Sequence, residues 1–385
     1  MYSVVDYGTL IADKVRMGAF VAALRQVVRP GAVVIDIGTG TGIFASLACS
    51  LGARRVYAIE PNDAIEVARS IAAANGFADR IEFHHAFSTD VTLPEQADVI
   101  VADIGGMLPW FGRAIPSIVD ARRRLLAPGG VIVPQRDVVW TAVVEVEEMY
   151  SRQTDPWSAN EFGLDMKAAR DLVVNTWMRG RVAPDQLLAP PKRWTTVDYA
   201  AVEDSNVRAT VEWTVVRGGV GHGLASGFDR TVADGVELSN APDRDKEIQP
   251  TLVYEPVFFP WTHPVALEPG DVVSATISAT LVREEYVWSW QTRICSGAGG
   301  AAKAAFDQST FLGTPLCTAT LKKHATDYVP SLTDQGRLTL LALTLMADRT
   351  PAGEIARRLR ETHPARFPRA EDALAFVGTL ASQYA

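Results

Sequence analysis

The chain has 385 residues, 48% of them hydrophobic, which is enough for two or three domains with their own cores. Its 45 acidic and 37 basic side chains leave a formal charge of -8, so no overall field draws in a polyanion and a nucleic-acid partner is not expected. The three cysteines, Cys49, Cys295 and Cys317, are widely spaced, form no CxxC pair and are odd in number, so nothing suggests a disulfide framework and a reducing, cytoplasmic setting is expected.

At the N-terminus, Asp6, Asp13, Lys14 and Arg16 break "MYSVVDYGTLIADKVRMGAF" before any apolar run reaches signal-peptide or membrane-spanning length. No membrane or targeting segment is expected. From about residue 9 to Pro134, β-branched runs such as "VVIDI", "RVYAIE" and "ADVIVADI" alternate with helical stretches such as "IEVARSIAAANG". That alternation predicts βαβ units around a parallel sheet.

Within this half, "VVIDI" runs into Gly38, Gly40 and Gly42 and then into the helical "IFASLACSLG". A turn without side chains at the C-terminal end of a strand lets a ligand approach the backbone. Glu60 ends the next strand, where a carboxylate can accept hydrogen bonds from ribose hydroxyls, so a ligand with an adenosine-like ribose is expected. The spacing is G-x-G-x-G with Asp36 two residues ahead, not the dinucleotide G-x-G-x-x-G. His84 and His85 read as strand-end residues without metal-spaced partners, and no metal is expected. Asp103 ends a further strand, where open α/β sheets present reacting groups, and is the candidate to orient or deprotonate a nucleophile. Met107, Trp110 and Phe111 behind it read as core packing or as an apolar wall for an acceptor.

From Asp137 to about Val287 the pattern changes to strands with turn residues between them, which predicts an antiparallel sheet or barrel. "SRQTDPWSANEFGLDMKAARDLVV" reads as a loop and helix inserted after the first of these strands, and "CSGAGGAAKAAF", around 295 to 306, as a flexible connection. His263, in "WTHP", is a second candidate proton acceptor. The tail from Leu332 carries three helical stretches with a local excess of arginine, a solvated basic face or a small peptide-binding module.

Asp36, the glycine turn and Glu60 together resemble motif I of the class I S-adenosylmethionine methyltransferases. With "ADKVRMGAF", "DVTLPEQADVIVADIGGM", "RRRLLAPGGVIVP", "WSANEFGLDM", "VAPDQLL" and "PVFFPWTHPVALEPGDVV" added, roughly residues 1 to 290 resemble the protein arginine methyltransferase family. The resemblance implies a Rossmann-like S-adenosylmethionine-binding domain over 1–134. It also implies an antiparallel β-barrel substrate domain over 135–330 with a dimerisation arm at about 151–187, and hence a homodimer. A small α-helical C-terminal module, 331–385, lies outside it. The implied cofactor is S-adenosylmethionine. Arg16 would pair with its methionyl carboxylate, Asp36, Gly38, Gly40 and Gly42 would line its methionyl part, Glu60 would hold the ribose and Ser88 would contact the adenine. Tyr2 and Tyr7 would close over it.

The departures bear on the acceptor. The family's loop after the fourth strand carries two glutamates that clamp a guanidinium. Here Asp103 stands at the first position and Gly112 at the second, and where a threonine-histidine-tryptophan run belongs, Thr251 is followed by Leu252 and Val253. Glu145 or Glu161 could compensate in space. The loop also lacks the Asn-Pro-Pro-Tyr type of motif associated with base methylation. The expectation is a methyltransferase for a small-molecule acceptor with an amine, hydroxyl or guanidine nucleophile, with Asp103 at the reacting centre. The alternatives are a peptide or protein N-methyltransferase, arginine included, and a non-enzymatic cofactor-binding partner.

Overall fold

The computed structural model describes residues 3–242 and 252–384. They fall into two compact units, Met1–Pro315 and Leu316–Ala385.

The first unit opens with α1 (Val4–Ala12) and α2 (Lys14–Val27). Ser3 and Asp6 close a reciprocal capping box at the start of α1, and Asp13 caps α2 by accepting from the backbone N–H groups of Val15 and Arg16. Next come β1 (Val33–Ile37), α3 (Ile43–Ser50), β2 (Arg55–Ile59), α4 (Ala64–Ala74), β3 (Ile81–His84), β4 (Ala97–Val101), α5 (Ala114–Arg124) and β5 (Leu126–Val133). The strands form one parallel sheet in the order β3-β2-β1-β4-β5. Every residue of β1 is buried, as a strand covered on both faces requires. Strand order reverses between β1 and β4, so a crevice opens beyond their C-terminal ends, the place where doubly wound sheets bind ligands.

The chain continues through β6 (Arg136–Val144), α6 (Glu147–Ser158), α7 (Lys167–Val173), β7 (Met178–Arg179), β8 (Lys192–Asp198) and β9 (Val207–Thr214). It ends this unit with β10 (Gly219–Ala233), β11 (Val236–Ser239), β12 (Val257–Leu267), β13 (Val272–Val282), β14 (Glu285–Cys295) and β15 (Ala302–Ser309). These strands form two antiparallel sheets, β7-β12-β10-β6-β8 with β11 beside β10, and β15-β14-β13-β9. Along β14, Tyr286, Trp288, Trp290, Thr292 and Ile294 alternate inward. Phe259 of β12 lies 5.2 Å from the Trp290 ring, and the Trp290 indole N–H donates to the Pro260 carbonyl at 2.9 Å, so aromatic side chains hold the sheets together.

Residues 295 to 306 differ from the flexible connection expected of them. From Ala302 onward they are paired to β14, because Phe306 stacks on Trp261 at 5.8 Å and Gln308 is buried beside it in the alternation. Burying one aromatic ring outweighs the weak strand preference of the surrounding alanines. The insert after β6 carries two helices, α6 and α7, and its base is tied to β12 by the Tyr150 hydroxyl, which donates to the Thr262 carbonyl at 3.0 Å.

The second unit contains the exposed α8 (Thr318–Lys322), and α9 (Asp334–Ala347), α10 (Ala352–Thr362) and α11 (Ala370–Tyr384) around a core that includes Leu338, Ile355, Leu359, Phe367 and Val377. Arg357 and Arg358 both pair with Glu354, and Arg369 pairs with Asp372, so much of the local basic excess is balanced on the surface. Among the described residues, no helix is long and apolar enough to cross a membrane.

Candidate active site

Beyond β1, β2 and β4 lies a cavity of about 350 Å³, within the size range of small-molecule and cofactor sites. Gly38, Glu60, Ser88, Arg16, Asp103 and Tyr254 are among its walls.

The glycine turn adopts left-handed backbone at Gly38, Gly40 and Gly42, with φ of 71°, 54° and 83°, which residues with a Cβ resist. Gly38 faces the cavity. Gly40 and Gly42 do not line it as the resemblance implied: a Cβ on Gly40 would sit 2.3 Å from the Tyr7 ring, and one on Gly42 would sit 2.8 Å from Ala68. Their bareness lets α1 and α4 pack against the turn. Tyr7 lines the cavity, whereas Tyr2 lies outside the described residues.

Asp36 is also beneath the turn and not in the cavity wall. Its carboxylate accepts from the Thr39 hydroxyl at 2.6 Å and from the Ala45 N–H at 3.0 Å, fixing the turn to the start of α3. Burial pushes this carboxyl up to about 6, against the opposing effect of those two hydrogen bonds. Glu60, 3% exposed, accepts from the Gly40 N–H at 2.9 Å through one oxygen, and from the Asn62 backbone N–H at 3.0 Å and side-chain amide at 2.7 Å through the other. Ser88 borders the same cavity with a buried hydroxyl that has no hydrogen-bond partner among the described residues.

At the other end, Asp103 is held by three hydrogen-bond donors. One oxygen accepts from Arg16 Nε at 2.7 Å and from the Tyr254 hydroxyl at 2.8 Å, with Arg16 Nη2 in ion-pair contact at 2.7 Å. The second accepts from Arg230 Nη1 at 3.0 Å. Arg230 is forked onto Asp137, through Nε at 2.8 Å and Nη2 at 2.7 Å, and the Tyr199 hydroxyl donates to Asp137 at 2.7 Å. All of these side chains are buried or nearly so. Burial works to lower the affinity of Arg16 and Arg230 for their protons, but the adjoining carboxylates reverse this and raise both. Burial and then Asp103 raise the Tyr254 phenol, which stays protonated.

The remaining candidates are dispersed. Gly112 lines the cavity without an acid side chain. Glu145 is spent on Arg217 at 2.6 Å and the Val220 N–H at 2.8 Å, Glu161 is exposed in the inserted arm, and His263 stands edge-on to Phe306. Trp110 is buried between Trp194 and Trp288, and Met107 packs on the same core, while Phe111 borders the cavity. Thr251 lies outside the described residues. Two arms of the network, Arg230 and Asp137, escaped sequence reasoning, as did Tyr254. The available signal was a charge at an inward-facing position of each of two strands, Arg230 with Phe228 and Asp137 with Val139.

Residues 19–155 match the family described as Ribosomal protein L11 methyltransferase (PrmA). "Probable protein arginine N-methyltransferase 6" of Arabidopsis thaliana is 33% identical over 165 residues, 42% of this chain and 38% of the relative. "Protein arginine N-methyltransferase 2" of Dictyostelium discoideum is 30% identical over 231 residues, 57% of this chain and 45% of the relative. The chain thus spans less than half the length of these two curated relatives. A Trypanosoma brucei PRMT1 enzyme-prozyme heterotetrameric complex with AdoHcy shares the fold, with a TM-score of 0.69 at 19% identity over 79% of this chain and 96% of that one. Residues 19–155 thus resemble the class I S-adenosylmethionine-dependent methyltransferases, and the fold is that of the solved neighbour. Within that class it resembles the protein arginine methyltransferases, with a Rossmann-like domain followed by antiparallel sheets.

Proposed function

We propose that this chain transfers a methyl group from S-adenosylmethionine to a nitrogen of a peptide or protein. The observation that carries the transfer is one cavity bordered by Glu60 and the unpartnered Ser88 hydroxyl and also by Arg16 and Asp103. A nucleoside with a zwitterionic tail matches that donor set. Glu60 would accept from a ribose hydroxyl with its remaining lone pair, Ser88 would satisfy its hydroxyl on the adenine, and Arg16 would pair with the methionyl carboxylate. Asp36, Gly40 and Gly42 support the turn from below, and Gly38 admits the ligand. The peptide or protein acceptor is preferred to the small molecule expected from the sequence because the relatives are named for protein substrates.

When bound, the cofactor supplies a methyl group made electrophilic by its sulfonium. The chain's part is alignment and exclusion of water, with Tyr7 and Phe111 in the cavity wall and Asp103 held rigid by its donors. Asp103 is therefore a positioning residue that fixes Arg16 and Tyr254 in the cavity wall. In this reading residues 1–134 bind cofactor and 135–330 carry the acceptor surface. The arm at about 151–187, with Phe162 and Leu164 exposed, pairs two copies, and 331–385 is an accessory helical module. The setting is cytoplasmic.

The decisive test is methyl-labelled S-adenosylmethionine added to an extract of the source organism with the purified protein. Label in macromolecules supports the reading, label only in small molecules returns the acceptor to a metabolite, and cofactor binding without label leaves a non-enzymatic partner. Two substitutions probe the cofactor end. Glu60→Ala is expected to weaken S-adenosylhomocysteine binding roughly tenfold, about 1.4 kcal/mol, in a calorimetric titration. Ser88→Ala is expected to leave stability within about 0.5 kcal/mol, since no hydrogen bond is lost, yet to weaken binding several-fold. Unaltered affinity in both variants would remove the assignment.

A further inference from the structure

Among the described residues, Glu60 and Asp103 are the carboxylates in the cavity wall, and both are engaged. Glu60 holds the glycine turn. Asp103 gives one oxygen to Arg16 and Tyr254 and the other to Arg230.

Arg230 is not a side chain free to swing aside. It is 1% exposed, it lies opposite Asp137 across the β6–β10 ladder and forks onto that carboxylate, and the Phe228 ring lies 4.5 Å from its guanidinium carbon. Asp137 is in turn held by Tyr199. Among the described residues, an incoming cation at this end would meet the Arg16 guanidinium, and the Asp103 carboxylate beside it already carries two guanidinium groups, a costly arrangement.

We infer that Arg230 is a specificity-determining residue: a guanidinium of the chain itself occupies Asp103, so the acceptor must arrive uncharged, as the unprotonated α-amine of a peptide N-terminus. The inference rests on the peptide reading above and names the nucleophile within it. At pH 7 roughly one α-amine in ten is neutral, against about one lysine in 2,500 and fewer than one guanidinium in 100,000. The N-terminal amine is therefore the peptide nitrogen that reaches such a site uncharged most often. Its lone pair forms the new nitrogen–carbon bond, the sulfonium–carbon bond breaks with its electron pair passing to sulfur, and the extra proton of the methylated amine leaves to water. No protein base is needed, in keeping with an Asp103 already paired with two guanidinium groups.

The test compares the parent protein with a double variant, Arg230→Met with Asp137→Asn, which removes both members of the buried pair and leaves Tyr199 an acceptor. The probes are three peptides alike except for their nucleophile: one with a free N-terminus and no lysine or arginine, one N-acetylated with a single lysine, and one N-acetylated with a single arginine. Binding is titrated directly and methyl label is counted in parallel. The parent is expected to favour the free N-terminus over the arginine peptide at least tenfold in both readouts. In the variant that ratio falls at least tenfold as arginine-peptide binding rises, a change that a merely structural role would not produce. A parent that prefers the arginine peptide, or a ratio equal in the two proteins, overturns the inference. Absence of label from every peptide, with arginine-peptide binding still rising in the variant, removes the methylation reading and leaves the assignment of Arg230 standing.

Discussion

Replacing Asp103 by alanine is expected to lower folding stability by about 3–5 kcal/mol, because it leaves two buried guanidinium groups without the carboxylate they share. Arg230 keeps Asp137, but Arg16 is left with the Leu10 carbonyl, the Tyr254 hydroxyl and the faces of Phe20 and Phe44, none of which carries a compensating charge. Tyr254 also loses the acceptor of its hydroxyl proton. Asp103→Asn keeps one acceptor oxygen and should lose less, while still removing the charge. Urea unfolding of the three proteins orders them as parent, Asn, Ala. An alanine variant within about 1 kcal/mol of the parent would mean that the ion network contributes little. It follows that lost activity in Asp103→Ala does not by itself identify a base, and the asparagine variant must be assayed beside it.

The second large effect depends on pH. Burial raises the Asp36 carboxyl from its ordinary value near 4 to about 6, so between those values the folded chain holds a proton there that the unfolded chain releases. The stability this site contributes is fully present below about pH 4 and is lost as pH rises through about 6. Two units at 1.36 kcal/mol each amount to about 3 kcal/mol at neutral pH. Asp36→Asn does not titrate and still offers an oxygen to Thr39 and Ala45. Relative to the parent, the variant should therefore gain about 2–3 kcal/mol between pH 4 and pH 7, whatever the other carboxylates do in common. Unfolding curves at four pH values across that interval measure the difference, and a flat difference would mean that the native carboxyl titrates normally.

What was legible in the sequence follows the range of the interactions. The strand, glycine turn and helix from Val33 to Ser50 are local, and the positive φ at three glycines within five residues admits few other structures. Glu60 was legible for the same reason, since a strand two elements away in a βαβ unit pairs in register with the first. The exact facing of the turn was not, because whether Asp36, Gly40 and Gly42 look into the cavity or beneath it depends on where Tyr7, Thr39 and Ala68 pack. The strand at Ala302 was hidden by its alanines, and one buried phenylalanine decided it.

By itself, the sequence determined the parallel nucleotide-type sheet, the site at the ends of β1 and β4, the antiparallel half that follows, and the absence of a second acid at Gly112. These rest on periodicity and on residue chemistry at short range. Only the tertiary structure decided the state of Asp103. Its partners are 87 residues away in α2, 127 away on β10 and 151 away at Tyr254, and they converge because the antiparallel sheets dock against the open end of the parallel one. Inward alternation along β10 shows that Arg230 must be buried, but a buried guanidinium chooses its carboxylate by three-dimensional geometry, and that choice is not encoded in any local spacing.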